Sequence, residues 1–246
     1  NTWGYVTAAK IFYWKKAGWL YGEKFVAFGS ASLFGKKASL MRRIYDRIRN
    51  EIPMNSVNLN DDLCAKYIQI INKKKIHFIY GYAASIFILA KYVKHHNLNI
   101  GKIKAVFTTS ENLIDEYRHT IEDAFQCRVV DCYGARDAGI TGYETAYHNY
   151  EVGYNAIVEL VDKIDDNTGA ALTTNFLNYA FPLIRYQFGD ELSLSNGAAS
   201  YNGQLITRNV SALYTQMPHI AALPDIRLNN GGHTASANAP KHTAGV

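Results

Sequence analysis

Apolar residues at helical spacing dominate the first third of the chain. One face of an expected helix carries Leu40, Met41, Ile44, Tyr45, Ile48 and Ile52, and Pro53 follows where that helix should stop. A second helix is predicted to begin after Asn60, which can cap it, and to end at Lys73 to Lys75, whose charges complement the helix dipole. We therefore expect residues 1 to 75 to be mostly helical.

Short apolar runs alternate with helical patterns between residues 76 and 134. The runs predict strands at Ile76 to Tyr80, Ile103 to Thr108 and Arg128 to Cys132. This alternation is typical of a largely parallel sheet flanked by helices, so we predict an α/β fold. Ligands of open α/β sheets bind beyond the carboxyl ends of the strands. Gly81, Thr108 to Glu111 and Asp131 to Asp137 should therefore gather on one rim.

The pattern changes again after residue 150. Strand-like segments at Asn155 to Val161, Ala171 to Asn175 and Leu183 to Phe188 are separated by turn residues, which predicts a β-rich subregion attached to the sheet. From about Arg208 onward periodicity is lost and Ala, Asn, Gly, Thr and His predominate. We expect that stretch to be a poorly ordered tail.

Composition narrows the class of protein without identifying it. The 246 residues are 48% hydrophobic, which is enough apolar material for a globular core. The apolar runs are far shorter than the roughly 20 residues of a membrane-spanning helix, so no span is expected. Cys64, Cys127 and Cys132 form neither a C-x-x-C pair nor a metal-ligand spacing with the histidines, which favours a cytoplasmic location. The net charge of +5 suits an anionic ligand or nucleic acid.

Two ordered groups of short strings carry the candidate chemistry. The first runs from Thr108-Thr109-Ser110-Glu111-Asn112-Leu113 to Asp131-Cys132-Tyr133-Gly134-Ala135-Arg136-Asp137. The second joins Thr173-Thr174-Asn175-Phe176-Leu177-Asn178 to Phe181-Pro182-Leu183-Ile184-Arg185-Tyr186-Gln187-Phe188-Gly189-Asp190. Their order and separation resemble the adenylate-forming enzymes of the phenylacetate–CoA ligase and CapK type over roughly residues 10 to 192. The resemblance implies a partial AMP-binding domain over residues 1 to 192 and a divergent tail over residues 193 to 246.

The resemblance also implies a role for each matched residue. Asp190 would accept hydrogen bonds from the ribose hydroxyls of ATP or AMP, Tyr133 would pack against the adenine face, and Gly134 would belong to the same nucleotide site. Asp137 would ligate Mg²⁺, a hard cation that favours carboxylate oxygen. Arg185 would hold the Asp137 loop or Asp190 by an ion pair, or contact phosphate, and Glu111 would lie near the acyl or nucleotide pocket.

These strings also have structural interpretations. Y-G-x-x-D and R-Y-x-x-G-D are common at strand ends, where a turn follows and an ion pair lies on the surface. Glu111 is either a functional carboxylate or a first-turn residue stabilised by the dipole of the following helix. The segment from Gly29 to Lys37 mimics a phosphate-binding loop, but Lys occupies the position that requires Ser or Thr.

The implied activity is ATP-dependent activation of a carboxylic acid to an acyl-adenylate, normally followed by transfer to CoA or another thiol. The family's phosphate loop and C-terminal lysine are not recognisable, and the chain lacks an initial Met. We therefore expect a fragment of a longer or altered gene product, which is inactive alone if those parts are needed. No particular acid, acceptor or oligomeric state is indicated.

Two alternatives belong to other classes of protein. The first is a non-catalytic nucleotide-binding or interaction domain, which would not need the missing loop and lysine. The second is a basic nucleic-acid-binding protein that uses Arg42, Arg43, Arg47 and Arg49. Because the ordered strings favour a small carboxylic acid and ATP as partners, we predict no nucleic-acid partner.

Overall fold

The structure is a computed structural model, and it describes residues 2–29, 40–135, 138–146, 149–200 and 203–208. Its first part contains five parallel strands: β1 (Phe25–Gly29), β2 (Glu51–Asn55), β3 (Phe78–Tyr82), β4 (Ala105–Thr109) and β5 (Arg128–Ala135). The helices are α1 (Thr2–Lys16), α2 (Leu40–Ile48), α3 (Asp61–Lys74), α4 (Ala83–His95) and α5 (Asp115–Phe125). The parallel strands lie in the order β2-β1-β3-β4-β5, which confirms the predicted α/β fold.

The remaining strands continue the same sheet with antiparallel pairing. They are β6 (Ile140–Ala146), β7 (Asn149–Val152), β8 (Ala156–Val161), β9 (Thr168–Asn175), β10 (Tyr186–Ser200) and β11 (Gly203–Arg208). Beyond β5 the order is β6-β7-β11-β10-β9-β8, so the predicted β-rich subregion is attached directly to the parallel strands. Strand pairing extends past residue 192, since β10 and β11 pair as far as Arg208. Residues 209 to 246 lie outside the described residues.

Helices cover both faces of the parallel strands. Successive residues of a strand point to opposite faces, so each face presents its own apolar side chains to a layer of helices. On one face, Ile79 and Val106 pack with α3, α4 and α5 in a core. On the other face, Phe78 and Phe107 pack against α1, where the Trp14 ring stacks on Phe107 at a centroid distance of 4.2 Å. A third core fills the antiparallel part and includes Tyr133. In the described ranges, no helix is both long enough and apolar enough to cross a membrane.

The predicted helix after Asn60 is confirmed as α3, together with the capping that the sequence indicated. Asn60 Oδ1 accepts a hydrogen bond from Leu63 N at 2.9 Å, which satisfies one of the free amides of the first turn. Lys75 ends the helix in the left-handed conformation, and its amide donates to the carbonyls of Asn72 and Ile71. Both ends are therefore specified by local sequence.

The prediction for the N-terminal third was wrong at two places. Residues 25–29 and 51–55 form β1 and β2, and the helix expected to run to Ile52 ends at Ile48. Pro53 lies inside β2, which is an edge strand in the observed order and so tolerates a residue without an amide hydrogen. The apolar face of α2 is not part of the core, since Met41 is 74% exposed and Ile48 is 68% exposed.

Candidate functional site

The expected rim exists at the carboxyl ends of β3, β4 and β5. These neighbouring strands are in register, so that Gly81 pairs with Thr108 and Thr108 pairs with Asp131. All three strands run in the same direction, and the residues that follow each of them therefore emerge at one edge. The predicted grouping of the strand ends is confirmed, except that Arg136 and Asp137 lie outside the described residues.

A hydrogen bond joins the two motif groups. Tyr133 Oη donates to Asp190 Oδ2 at 2.6 Å across 57 residues of sequence. The tyrosine is 2% exposed, so its ring is fixed by packing while its hydroxyl holds the carboxylate. Asp190 keeps a second oxygen, Oδ1, with the lone pairs that a ligand hydroxyl needs. The structure thus brings together two of the residues predicted to bind the nucleotide.

Gly134 follows Tyr133 on β5 and is exposed. A methyl group built at this position would meet Ile140 O at 3.5 Å, which is an ordinary contact. Packing of the described residues therefore does not require glycine there. Glycine would be required at this position by a ligand that lies directly on the backbone, because a side chain would occupy the ligand's space.

Two asparagines hold the backbone at Gly139, directly before β6. Asn155 Nδ2 and Asn175 Nδ2 both donate to the carbonyl of Gly139, at 2.7 and 2.8 Å. Asn175 Oδ1 accepts from the amides of Leu177 and Asn178, so this side chain also links Gly139 to the segment after β9. The sequence contained Asn175 only as part of a motif string, and this positioning role was missed. Asn155 carried no sequence signal.

A buried polar network lies beside Tyr133, on the same face of the sheet. Asp131 Oδ1 accepts from Thr108 Oγ1 at 2.6 Å, and its Oδ2 accepts from Tyr150 Oη at 2.7 Å. Arg118 Nη2 donates to Glu144 Oε1 at 2.6 Å, and Glu144 Oε2 accepts from the amide of Asp131. Each of these side chains is buried and takes part in at least one of these hydrogen bonds, so the network fixes β5 against β4, α5 and β6. Asp131 therefore holds in place the strand that carries Tyr133 and Gly134.

Glu111 contacts a different helix from the one that its position in the sequence suggested. Its Oε2 accepts a hydrogen bond from the amide of Ala84 at 2.8 Å, at the N-terminus of α4. Burial raises the pKa of this carboxyl, and the hydrogen bond from Ala84 acts in the opposite direction. The carboxylate caps a helix whose own N-cap residue, Tyr82, makes no side-chain capping bond. This contact gives Glu111 a structural role at the rim.

Arg185 pairs with a residue that the sequence did not indicate. Its Nε lies 3.4 Å from Glu159 Oε2, and the two side chains are 58% and 41% exposed. Its backbone has a positive φ of 51°, and its amide donates to Thr174 Oγ1 at 3.0 Å. The predicted ion pair with Asp190 is not formed. Arg185 pairs with Glu159 instead, and Asp190 accepts a hydrogen bond from Tyr133. The predicted contact with the Asp137 loop lies outside the described residues.

A cavity of about 380 Å³ opens beside Tyr133 and Gly134. Its walls come from α1, from the ends of β3, β4 and β5, and from the start of β6. Aromatic rings form much of the lining, which includes Trp14, Tyr80 and Tyr143. The volume lies within the range of small-molecule pockets in proteins, about 300 to 1,000 Å³. The rim therefore combines a hydrogen-bonding carboxylate, an exposed glycine and an adjoining apolar cavity.

Known proteins resemble this chain in sequence and in fold. It is 26% identical to Protein CapK of Staphylococcus aureus over 153 residues, which are 62% of this chain and 34% of CapK. The chain thus spans about a third of the length of that relative. No protein-family model matches it.

Among solved structures, 2-hydroxyisobutyryl-CoA ligase in the postadenylation state, in complex with R3-HIB-AMP, matches with a TM-score of 0.59. The match has 16% identity and covers 81% of this chain and 44% of the ligase. VinN matches with a TM-score of 0.51 and 12% identity, over 77% of this chain and 51% of VinN. At these identities the likeness establishes the fold. Together with CapK, these matches confirm the predicted resemblance to CapK-like proteins and adenylate-forming enzymes.

Proposed function

We propose that this chain forms the nucleotide-binding part of an enzyme that activates a carboxylic acid with ATP to an acyl-adenylate. The hydrogen bond between Tyr133 and Asp190 carries this proposal, because it assembles the two motif groups at the strand rim. The similarity to CapK supports the proposal. So does the shared fold with a ligase whose structure contains an acyl-AMP.

The geometry of the residues that are present fits a bound nucleotide. Asp190 can accept from ribose hydroxyls through Oδ1, because Tyr133 donates to Oδ2 and leaves the other oxygen in a fixed direction. Gly134 lets a planar base approach the backbone of β5 closely. When ATP is bound, it supplies the α-phosphate that the carboxylate attacks, with pyrophosphate as the leaving group. Transfer of the acyl group to CoA or another thiol is the proposed second half-reaction.

The remaining predicted site residues take different parts in this proposal. We assign Mg²⁺ binding to Asp137 on the chemistry of its carboxylate. Arg185 can turn toward a phosphate at little cost, because an exposed ion pair such as that with Glu159 contributes only about 0–1 kcal/mol. Glu111 acts as a positioning residue that fixes the start of α4 at the rim. Its effect on catalysis is therefore indirect.

The first experiment measures binding of Mg·ATP to the chain by isothermal titration calorimetry. Asp190→Asn removes the charge and keeps the shape, and we expect it to weaken binding by roughly tenfold or more, the loss of a charged hydrogen bond of about 1.5–3 kcal/mol. Asp166→Asn, at an exposed aspartate in the turn between β8 and β9, is the matched control and should bind like the wild type. Full ATP affinity in an Asp190→Ala variant would contradict the assignment. Circular dichroism verifies that each variant is folded.

The second experiment tests turnover by exchange of labelled pyrophosphate into ATP with a panel of carboxylic acids. Acid-dependent exchange supports the proposed adenylation. ATP binding without exchange for any acid would instead identify a non-catalytic nucleotide-binding domain. The wild-type chain serves in both experiments, so binding and chemistry are separated on the same protein.

A further inference from the structure

One cationic side chain, Lys10, faces the cavity beside Tyr133. Lys10 is on α1, and among the described residues that line the cavity it is the one with a charged side chain. Its Nζ lies 3.8 Å from the centroid of the Tyr80 ring and 4.1 Å from that of Trp14. The ammonium group is thus held over two aromatic faces that are themselves cavity walls.

The surroundings of Lys10 disfavour its charge in the absence of a ligand. Burial, followed by the charge of Arg49, lowers the pKa of Lys10 to about 8, whereas Glu51 acts in the opposite direction. Contact with aromatic faces compensates the buried ammonium only in part, because burial of an unpaired ammonium costs more than such a contact returns. An anionic group in the cavity would therefore gain a desolvated partner that is already in place.

The strand order and register indicate the approximate distance between this cation and the nucleotide-binding residues. Lys10 lies over Tyr80 of β3, whereas Tyr133 is on β5, two strands away in the observed order. Tyr80 is in register with Val130 through Phe107, and Tyr133 lies three residues farther along β5. Two strand spacings across the sheet and three residues along it together span roughly 14 Å, of which about 3 Å at each end is a hydrogen bond. A ligand whose reacting carboxylate lies at Tyr133 and Gly134 would reach Lys10 with a second group at its far end. The separation suits a para-substituted benzene ring or a chain of similar length, and the aromatic lining suits the ring.

We infer that Lys10 determines the specificity of the acyl pocket and that the acid bound there is a dicarboxylic acid, whose second carboxylate pairs with the Lys10 ammonium. This inference rests on the proposed function, because it takes the cavity to be the acid's site. The cavity walls bind the body of the acid, and Lys10 selects its distal charge. A monocarboxylic acid of the same shape would leave the ammonium without an anion.

The test compares two para-substituted benzoates, terephthalate and 4-methylbenzoate, of which the first carries a carboxylate and the second an uncharged methyl group at the distal end. Binding is measured by calorimetry and by quenching of tryptophan fluorescence, since Trp14 lines the cavity. We expect the wild-type chain to bind terephthalate at least tenfold more tightly than 4-methylbenzoate. The preference should disappear in Lys10→Met and persist in Lys10→Arg, which keeps the charge. Lys91→Met is the matched control, because Lys91 also lies over a ring, that of Phe87, but is exposed.

Each outcome separates this inference from the proposed function. Equal affinity of the wild type for the two acids, or a preference that survives in Lys10→Met, overturns the inference. If Lys10→Met does not fold, the wild-type comparison and Lys10→Arg still decide it. ATP binding with pyrophosphate exchange for monocarboxylic acids alone would leave the proposed function intact and refute the role of Lys10. If the wild-type chain does not bind ATP, the proposed function is refuted, whatever its affinity for the two acids.

Discussion

Removal of the buried Arg118 guanidinium should destabilise the chain more than removal of any exposed charge. Arg118 and Glu144 are 4% and 1% exposed and are joined at 2.6 Å, and the amide of Asp131 donates to the same glutamate. Arg118→Met would leave Glu144 buried without its cation, close to a second buried carboxylate on Asp131. Breaking a buried pair in this way costs about 3–5 kcal/mol. That loss is a large part of the 5–15 kcal/mol stability of a typical domain.

Urea denaturation followed by circular dichroism measures this loss. The matched control is the surface pair of Lys94 and Asp123, whose side chains are 47% and 58% exposed, so that Lys94→Met should cost less than about 1 kcal/mol. Combining Arg118→Met with Glu144→Gln should cost less than the sum of the two single changes, since the second change removes the stranded charge. If Arg118→Met is no more damaging than Lys94→Met, or if the double variant is additive, the network does not stabilise the fold as argued.

Two further predictions concern the close packing of Gly81 and the hydrogen bonds of Asn175. Gly81 has φ of +152°, and a methyl group there would lie 2.5 Å from Phe28 Cβ, so Gly81→Ala should lower the free energy of unfolding by about 2–5 kcal/mol in the same assay. Gly4→Ala, in α1 with nothing within 4 Å, should instead stabilise the chain by about 0.5–1 kcal/mol, and the reverse order would refute the steric argument. Asn175→Ala should cost about 1–2 kcal/mol and weaken ATP binding in calorimetry, because it removes a hydrogen bond that holds the backbone at Gly139. Asn178→Ala should leave ATP affinity unchanged, and equal effects of the two alanine variants would show that the Asn175 contacts are unimportant.

Local signals in the sequence were sufficient wherever the structure is set by local interactions. The cap at Asn60 and the alternation of apolar runs after residue 76 depend on neighbouring residues, and both predictions are confirmed. β2 was missed because its five residues follow a strongly periodic helix and include Pro53, which normally indicates a helix end. Its strand conformation depends on pairing with β1, which is separated from it by more than 20 residues.

The contacts of the candidate site were beyond prediction for the same reason. The strings identified Glu111 and Arg185 as candidates, but a string does not specify which helix a carboxylate caps or which acid an arginine meets. Glu111 caps α4, which precedes it in the chain. Arg185, directly before β10, forms an ion pair with Glu159 on β8. Both partners are chosen by the tertiary arrangement of elements. Neither choice leaves a periodic pattern in the sequence.

The position of Asp190 shows how the two parts of the sheet cooperate. Tyr133 is on β5 and Asp190 is on β10, which are four places apart in the order β5-β6-β7-β11-β10. In a flat sheet four places span roughly 19 Å, yet the side chains are 2.6 Å apart. The antiparallel strands must therefore coil back over the end of β5, and the shared core of Tyr133, Val152 and Leu192 fills the space that this fold encloses. Ribose recognition by Asp190 would then depend on the packing of the antiparallel part, even though the rim is built by the parallel strands. Substitutions in that core, such as Leu192→Ala, should weaken nucleotide binding together with stability, whereas truncation of an exposed residue on α2 should affect neither.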